Sequence, residues 1–197
     1  AWLQQYLATL DDQRLVILGM HMPLFDPNFR PADKQKLFEL LARFPKRLVL
    51  SGHTHTQEHR YWGAADGWHW EGHLHEYNVG AACGAFWSGV TDAAGIPAAT
   101  MADGTPNGYG LLHVDGQGGY QLEYRAARAP ADAQMHLHAP KVLRQGAYPA
   151  WGIYANVWMG DADTVVEFRV DGGEWQPMKR VIVPDPALLL ENVADDL

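Results

Sequence analysis

The chain has 197 residues, enough for one large domain or two small ones. Its formal charge of −8, with no basic cluster, argues against a surface for nucleic acid or acidic membranes, and no apolar run is long enough for a membrane segment. The single cysteine, Cys83, excludes an internal disulfide, while a hydrophobic fraction of 47% with eight Trp can supply a packed core.

The first ten residues place apolar side chains at positions 2, 3, 6, 7 and 10, one face of a helix. No Ser, Thr, Asp or Asn caps that helix, so the sequence reads as part of a longer protein; no signal peptide is visible. After the polar link Asp11-Asp12-Gln13, the run Leu15 to Leu18 reads as a buried strand that ends at Gly19 and delivers His21-Met22-Pro23. A Pro-rich loop from Pro23 to Pro31 leads into a helix predicted over Ala32 to Phe44. Pro31 opens it, Leu37, Phe38, Leu40, Leu41 and Phe44 form its buried face, and Pro45 stops it. A second apolar strand then runs to Leu50, and Ser51-Gly52-His53-Thr54-His55 follows at once. Gly52 allows the sharp turn. Strand, helix and strand at this spacing make a βαβ unit with parallel strands and a right-handed crossover. Both strands then end at one edge of the sheet, where ligand sites collect. His21, His53 and His55 are therefore expected to face one crevice, and imidazole is the commonest neutral metal ligand.

From His59 to Tyr77 the chain is dense in Trp, Tyr and His, with Asp66-Gly67 as a turn between two strand-like runs. His73-Leu74-His75 repeats the His-x-His spacing and is a rival metal pair; the plainer reading, preferred here, is the polar or aromatic face of an antiparallel strand. The small residues from Ala81 permit close packing, and Cys83 reads as a small buried residue. In the glycine-rich loop Met101 to Gly110, Asp103 and Asn107 read as turn formers, with contact to a substrate as the other reading. Leu111 to Val114, Asp115-Gly116 and Tyr120 to Tyr124 form a hairpin, and Ala126 to Ala131 a linker. Beyond it lie four strand-like runs, Met135 to His138, Gly152 to Trp158, Val165 to Val170 and Glu174 to Met178, with Asp171-Gly172-Gly173 as a hairpin turn between the last two. No helical pattern precedes Leu188. Short strands at regular spacing predict an all-β sandwich-like module, incomplete beside the roughly seven strands of an immunoglobulin-type domain.

Gly52-His53-Thr54-His55, preceded by His21-Met22-Pro23 at the end of an earlier strand, resembles the closing motifs of the calcineurin-like metallophosphoesterases. Residues Gly80 to Trp87 and Asp103 to Tyr109 resemble a bacterial subgroup of that family with an added C-terminal β domain. The resemblance implies an α/β (α+β) fold: residues 1–127 as the C-terminal half of a layered α/β/β/α sandwich, and residues 128–197 as the all-β module. It implies a hydrolase acting on small phosphoesters with two divalent ions (Mn, Fe or Zn), His21 and His53 binding one ion and His55 the other. The family's Asp-x-His and Gly-Asn-His motifs, which carry further ligands and the catalytic His, do not occur here. Gly160-Asp161-Ala162-Asp163 lacks the carboxylate at the position that Gly-Asp-x-x-Asp requires. The catalytic residue thus stays unassigned, and the chain alone is expected to be inactive. An open apolar edge beside Leu15 to Leu18 would favour self-association. The rival reading is a non-catalytic β-rich module that binds a glycan or peptide through its aromatic residues.

Overall fold

The computed structural model describes residues 2–142 and 152–195; Ala1 of the expected first helix lies outside them. Helix α1 (Trp2–Ala8) leads to strand β1 (Val16–Gly19), helix α2 (Pro31–Leu41) and strand β2 (Arg47–Ser51). Strands β3 (Glu58–Trp62) and β4 (Leu74–Asn78) complete a four-stranded sheet in the order β1-β2-β4-β3. β1, β2 and β4 are parallel and β3 closes the far edge antiparallel. The βαβ unit is therefore present, with α2 ending three residues earlier than Phe44. Phe44 still packs in the core.

The helical face of the sheet buries Leu7, Leu24, Phe38, Leu41, Phe44, Val49, Trp62, Trp68 and Leu74 in one cluster. Each such side chain contributes roughly 1.5–3 kcal/mol by leaving water. Trp68 belongs to the connection between β3 and β4, not to a strand: Asp66 ends a short 3-10 turn and Gly67 takes φ 93°. β3 and β4 pair antiparallel around the expected turn at Asp66-Gly67, and within this long connection Trp68 and the Arg47 guanidinium stack against each other at 4.3 Å. Arg47 also donates to the carbonyls of Phe44 and Glu71.

The other face of the sheet carries His59, Tyr61, His75 and Tyr77, and the hairpin β5 (Gly108–Val114) and β6 (Tyr120–Ala126) packs there. Asp115 closes its turn by accepting from the amides of Gln117 and Gly119. The C-terminal region holds two separate ribbons, β7 (Met135–His138) with β8 (Tyr154–Val157), and β9 (Glu167–Phe168) with β10 (Gln176–Pro177). Helix α3 (Pro186–Asp195) follows, with Asp185 accepting from the Leu188 amide at its start. Asp171 and Gly172, both at positive φ, make the expected turn between β9 and β10. Among the described residues, no sheet larger than these ribbons forms after Pro130. A second core of Met101, Tyr124, Ala126 and Trp158 joins this region to the β5–β6 hairpin. The mixed architecture is an α+β fold.

Candidate metal centre

The parallel ladder continues past the strands. The Met20 amide donates to the Leu50 carbonyl, and the Gly52 amide to the His21 carbonyl at 3.0 Å. This extension sets the two histidine segments side by side, and His21 Nε2 and His53 Nδ1 lie 2.9 Å apart. His53 turns there at φ 77° and His55 at φ 54°, both in the left-handed region that non-glycine residues seldom adopt. Such backbone persists where surroundings enforce it, and it gathers at functional sites.

His55 points to a different partner. Its Nδ1 meets the Ala85 carbonyl oxygen at 2.6 Å. A carbonyl only accepts, so Nδ1 carries the proton and Nε2 of the neutral ring keeps the lone pair that a metal would use. The Phe86 ring lies beside it at 5.9 Å between centroids. The structure thus brings His21 and His53 together and holds His55 against the loop after β4.

The supports of these loops come from alternate residues of β4, which share one face. Asn78 donates to the Thr54 hydroxyl at 2.5 Å and to the Thr56 carbonyl at 2.8 Å, fixing the turn between His53 and His55. Glu76 accepts from the Leu24 amide, the Ser51 hydroxyl and the Trp62 indole. Burial raises the Glu76 pKa, and those three hydrogen bonds oppose the rise. A second carboxylate, Asp26, places Oδ2 3.9 Å from His53 Nε2. Carboxylates behind metal-binding histidines commonly orient the ring. Glu76, Asn78 and Asp26 were missed in the sequence because an acid or amide within a strand, or an Asp in a Pro-rich loop, has no spacing signature.

Asp103 and Asn107 are tied into the fold. The Asp103 carboxylate accepts from the amides of Gln57 and Thr105, while Asn107 is buried and donates to the Ala82 carbonyl at 2.9 Å. Cys83 is exposed rather than buried. It sits in a turn closed by the Gly84 amide and the Ala81 carbonyl, which directs its side chain outward.

The rival pair separates. His73 stands exposed just ahead of β4, whereas His75 lies within it. His75 Nε2 is 3.0 Å from His59 Nδ1, and its Nδ1 is 2.8 Å from the Tyr120 hydroxyl. Burial, with His59 alongside, pushes the His75 pKa down to about 4. Burial also lowers that of His59.

Two imidazole nitrogens at right angles on one ion, each ~2.0–2.1 Å from it, stand about 2.9 Å apart. The His21–His53 pair has that spacing, which is also that of a hydrogen bond between the rings. Among the described residues no group of three or more His, Cys, Asp or Glu converges to hold an ion. The chemistry of the donor set fits a share of a metal site: two neutral ligands that need anionic partners to attract a hard divalent cation.

A family model described as the C-terminal part of calcineurin-like phosphoesterase matches residues 76–196, from β4 to the end of α3. No curated protein and no solved structure matches the chain.

Proposed function

Since the chain belongs to the calcineurin-like phosphoesterase family, as its C-terminal part, we propose that its parent protein hydrolyses phosphoric esters at a dinuclear metal centre to which this chain contributes His21, His53 and His55. The family implies a hydrolase as parent. The observation that carries the reading is the convergence of His21 Nε2 and His53 Nδ1 from the ends of two parallel strands.

In this reading His21 and His53 hold one ion and His55, through Nε2, the other. Two such ions (Mn, Fe or Zn), held by these histidines with anionic partners, would supply Lewis-acid polarisation of the phosphoryl group and activation of water at neutral pH. The remaining ligands are anionic and come from elsewhere in the parent protein, as does the general acid that protonates the leaving oxygen. The histidines orient their lone pairs, Asn78 holds the turn between them, and Asp26 backs the His53 ring. The substrate is a small phosphoester. Residues 1–127 form the metal-binding part and residues 128–197 an added module packed on the β5–β6 hairpin through Trp158.

The test is hydrolysis of p-nitrophenyl phosphate and bis-p-nitrophenyl phosphate with added manganese, zinc or iron. The full-length protein should turn over one of them and lose that activity with His53→Ala. The 197-residue chain alone should not. Metal-dependent turnover by the chain alone would show that fewer ligands suffice. One observation favours a second reading: Phe86 is 74% exposed and Trp87 51%, on the same loop. Aromatic rings displayed in this way suit a module that binds a glycan or peptide. Absence of turnover by the full-length protein across several phosphoester classes would favour it.

A further inference from the structure

We propose that Glu76 is the positioning residue of the His21–His53 pair, its buried carboxylate fixing the segment that carries one imidazole against the segment that carries the other. The significance of the pair as metal ligands rests on the function proposed above; the positioning itself does not.

Glu76 is fully buried in the middle of β4. One of its oxygens, Oε1, accepts from the Leu24 amide at 2.9 Å and from the Ser51 hydroxyl at 2.8 Å. Leu24 lies three residues after His21, and Ser51 two residues before His53. A slide of either segment along the sheet would break one of these bonds, so a single atom measures the two segments against each other. The second oxygen, Oε2, accepts from Trp62 Nε1 at 2.9 Å, which locks the carboxylate plane and binds it to the edge strand.

The surroundings make a purely stabilising role a poor explanation. Leu24, Val49, Trp62 and Leu74, all buried, belong to the apolar cluster on this face of the sheet. The three donors are neutral, so no opposite charge compensates for the removal of the carboxylate from water. An apolar side chain would suit that cluster, but it could not accept from Leu24 and Ser51 at once. What the carboxylate adds is geometry. Partners that orient metal-binding imidazoles typically matter 10- to 100-fold in metal affinity, and Glu76 acts on the same orientation through the segments that carry the rings.

The experiment uses the full-length protein with 15N-labelled histidine, and the variants Glu76→Gln, Glu76→Gln/Trp62→Phe and Ser51→Ala. Gln keeps an acceptor for Leu24 and Ser51 but turns an NH2 group toward the Trp62 N–H. Phe at position 62 removes that N–H and should restore the arrangement. The readouts are the ring-nitrogen signals of His21 and His53 in the metal-free protein, and the Mn2+ affinity at a temperature where circular dichroism shows every variant folded. Glu76→Gln is expected to return the two rings to the tautomer mixture of free histidine and to weaken Mn2+ binding 10- to 100-fold, with the double variant recovering most of both. Ser51→Ala should shift both readouts in the same direction by less, and it keeps the question open to measurement if Glu76→Gln does not fold. A lower melting temperature with unchanged ring signals and unchanged Mn2+ affinity in Glu76→Gln, or in Ser51→Ala where that is the folded variant, would overturn the proposal. If the wild-type protein binds no Mn2+ while its ring signals still depend on Glu76, the metal reading fails and the positioning stands.

Discussion

The backbone amide of Gln57 donates to the Asp103 carboxylate at 2.6 Å, joining segments 46 residues apart. The other Asp103 oxygen accepts from the Thr105 amide at 2.9 Å, and the Asp103 carbonyl accepts from Asn156. The exit of the His-x-His turn, the glycine-rich loop and β8 thus meet at one residue. Asp103→Ala should destabilise the protein by about 1 kcal/mol, the usual result of removing the acceptor of partly buried donors. Asp103→Asn, which keeps one acceptor, should lose less. Urea midpoints measure the difference. Unchanged midpoints with a fall in kcat would instead place Asp103 against the substrate.

His53 adopts φ 77°, where a β-carbon is strained by about 1–3 kcal/mol. Glycine carries no such strain. His53→Gly should therefore leave the melting temperature unchanged or higher while metal binding by the full-length protein falls. His53→Ala, which keeps the β-carbon, should be the less stable of the two. Thermal unfolding paired with a Mn2+ titration separates these effects. A clear drop in melting temperature for His53→Gly would mean that the His21–His53 contact contributes more to stability than the backbone strain removes.

Much of this arrangement was legible in the sequence where periodicity and turn chemistry agree. Leu15 to Leu18, the Pro31 helix and the run to Leu50 fall where the apolar spacing puts them, and Asp115-Gly116 marks the β5–β6 hairpin. Met135–His138 forms a strand where a short strand-like run is expected. Other features depend on contacts between distant residues. Trp68 leaves the predicted strand-like run because Arg47 and the α2 face give it a buried site. Glu76 reads as an ordinary polar strand residue, and only the approach of Leu24, Ser51 and Trp62 gives it a role. The proximity of His21 and His53 follows from parallel pairing, whereas the turn of His55 toward Ala85 depends on a loop 30 residues further on.

That loop is tightest at Gly84. Gly84 lies at φ 66°, and a β-carbon there would stand 1.6 Å from the Ala99 carbonyl oxygen. Ala85 and Gly89 donate to carbonyls of Thr100 and Ala98, so the backbone cannot shift without breaking the loop's own ladder. Gly84→Ala should destabilise by at least about 2 kcal/mol, combining positive-φ strain with the clash. It should also release Ala85 from His55. A limited proteolysis pattern with new cleavage between Cys83 and Pro97 is the expected sign; wild-type protease resistance would show that the loop adapts at little cost.

The half-buried imidazole of His75 gives stability a pH dependence whose sign is fixed. Its folded pKa is about 4, depressed by burial and then by the neighbouring His59, with Asp161 opposing. In the unfolded chain it titrates near the ordinary 6.5. Between those values the unfolded state binds more protons than the folded state, so stability rises with pH across about 4 to 6.5 and levels off above. Acidification through that window removes stability on the order of 2 kcal/mol, a figure reduced from the full shift because the ring is partly open to solvent. His59, also depressed, adds in the same direction. Glu76, raised by burial, acts oppositely: it favours the folded state at low pH and withdraws that contribution as pH rises above the ordinary carboxylate range. The variant His75→Phe retains a ring between Tyr61 and Tyr120 but cannot titrate. Urea unfolding at pH 4.5, 5.5, 6.5 and 7.5 should show wild type losing stability relative to this variant as pH falls through the window, with the gap constant above it. A pH-independent gap would mean that the His75 ring takes up its proton in the folded protein as readily as in the unfolded chain.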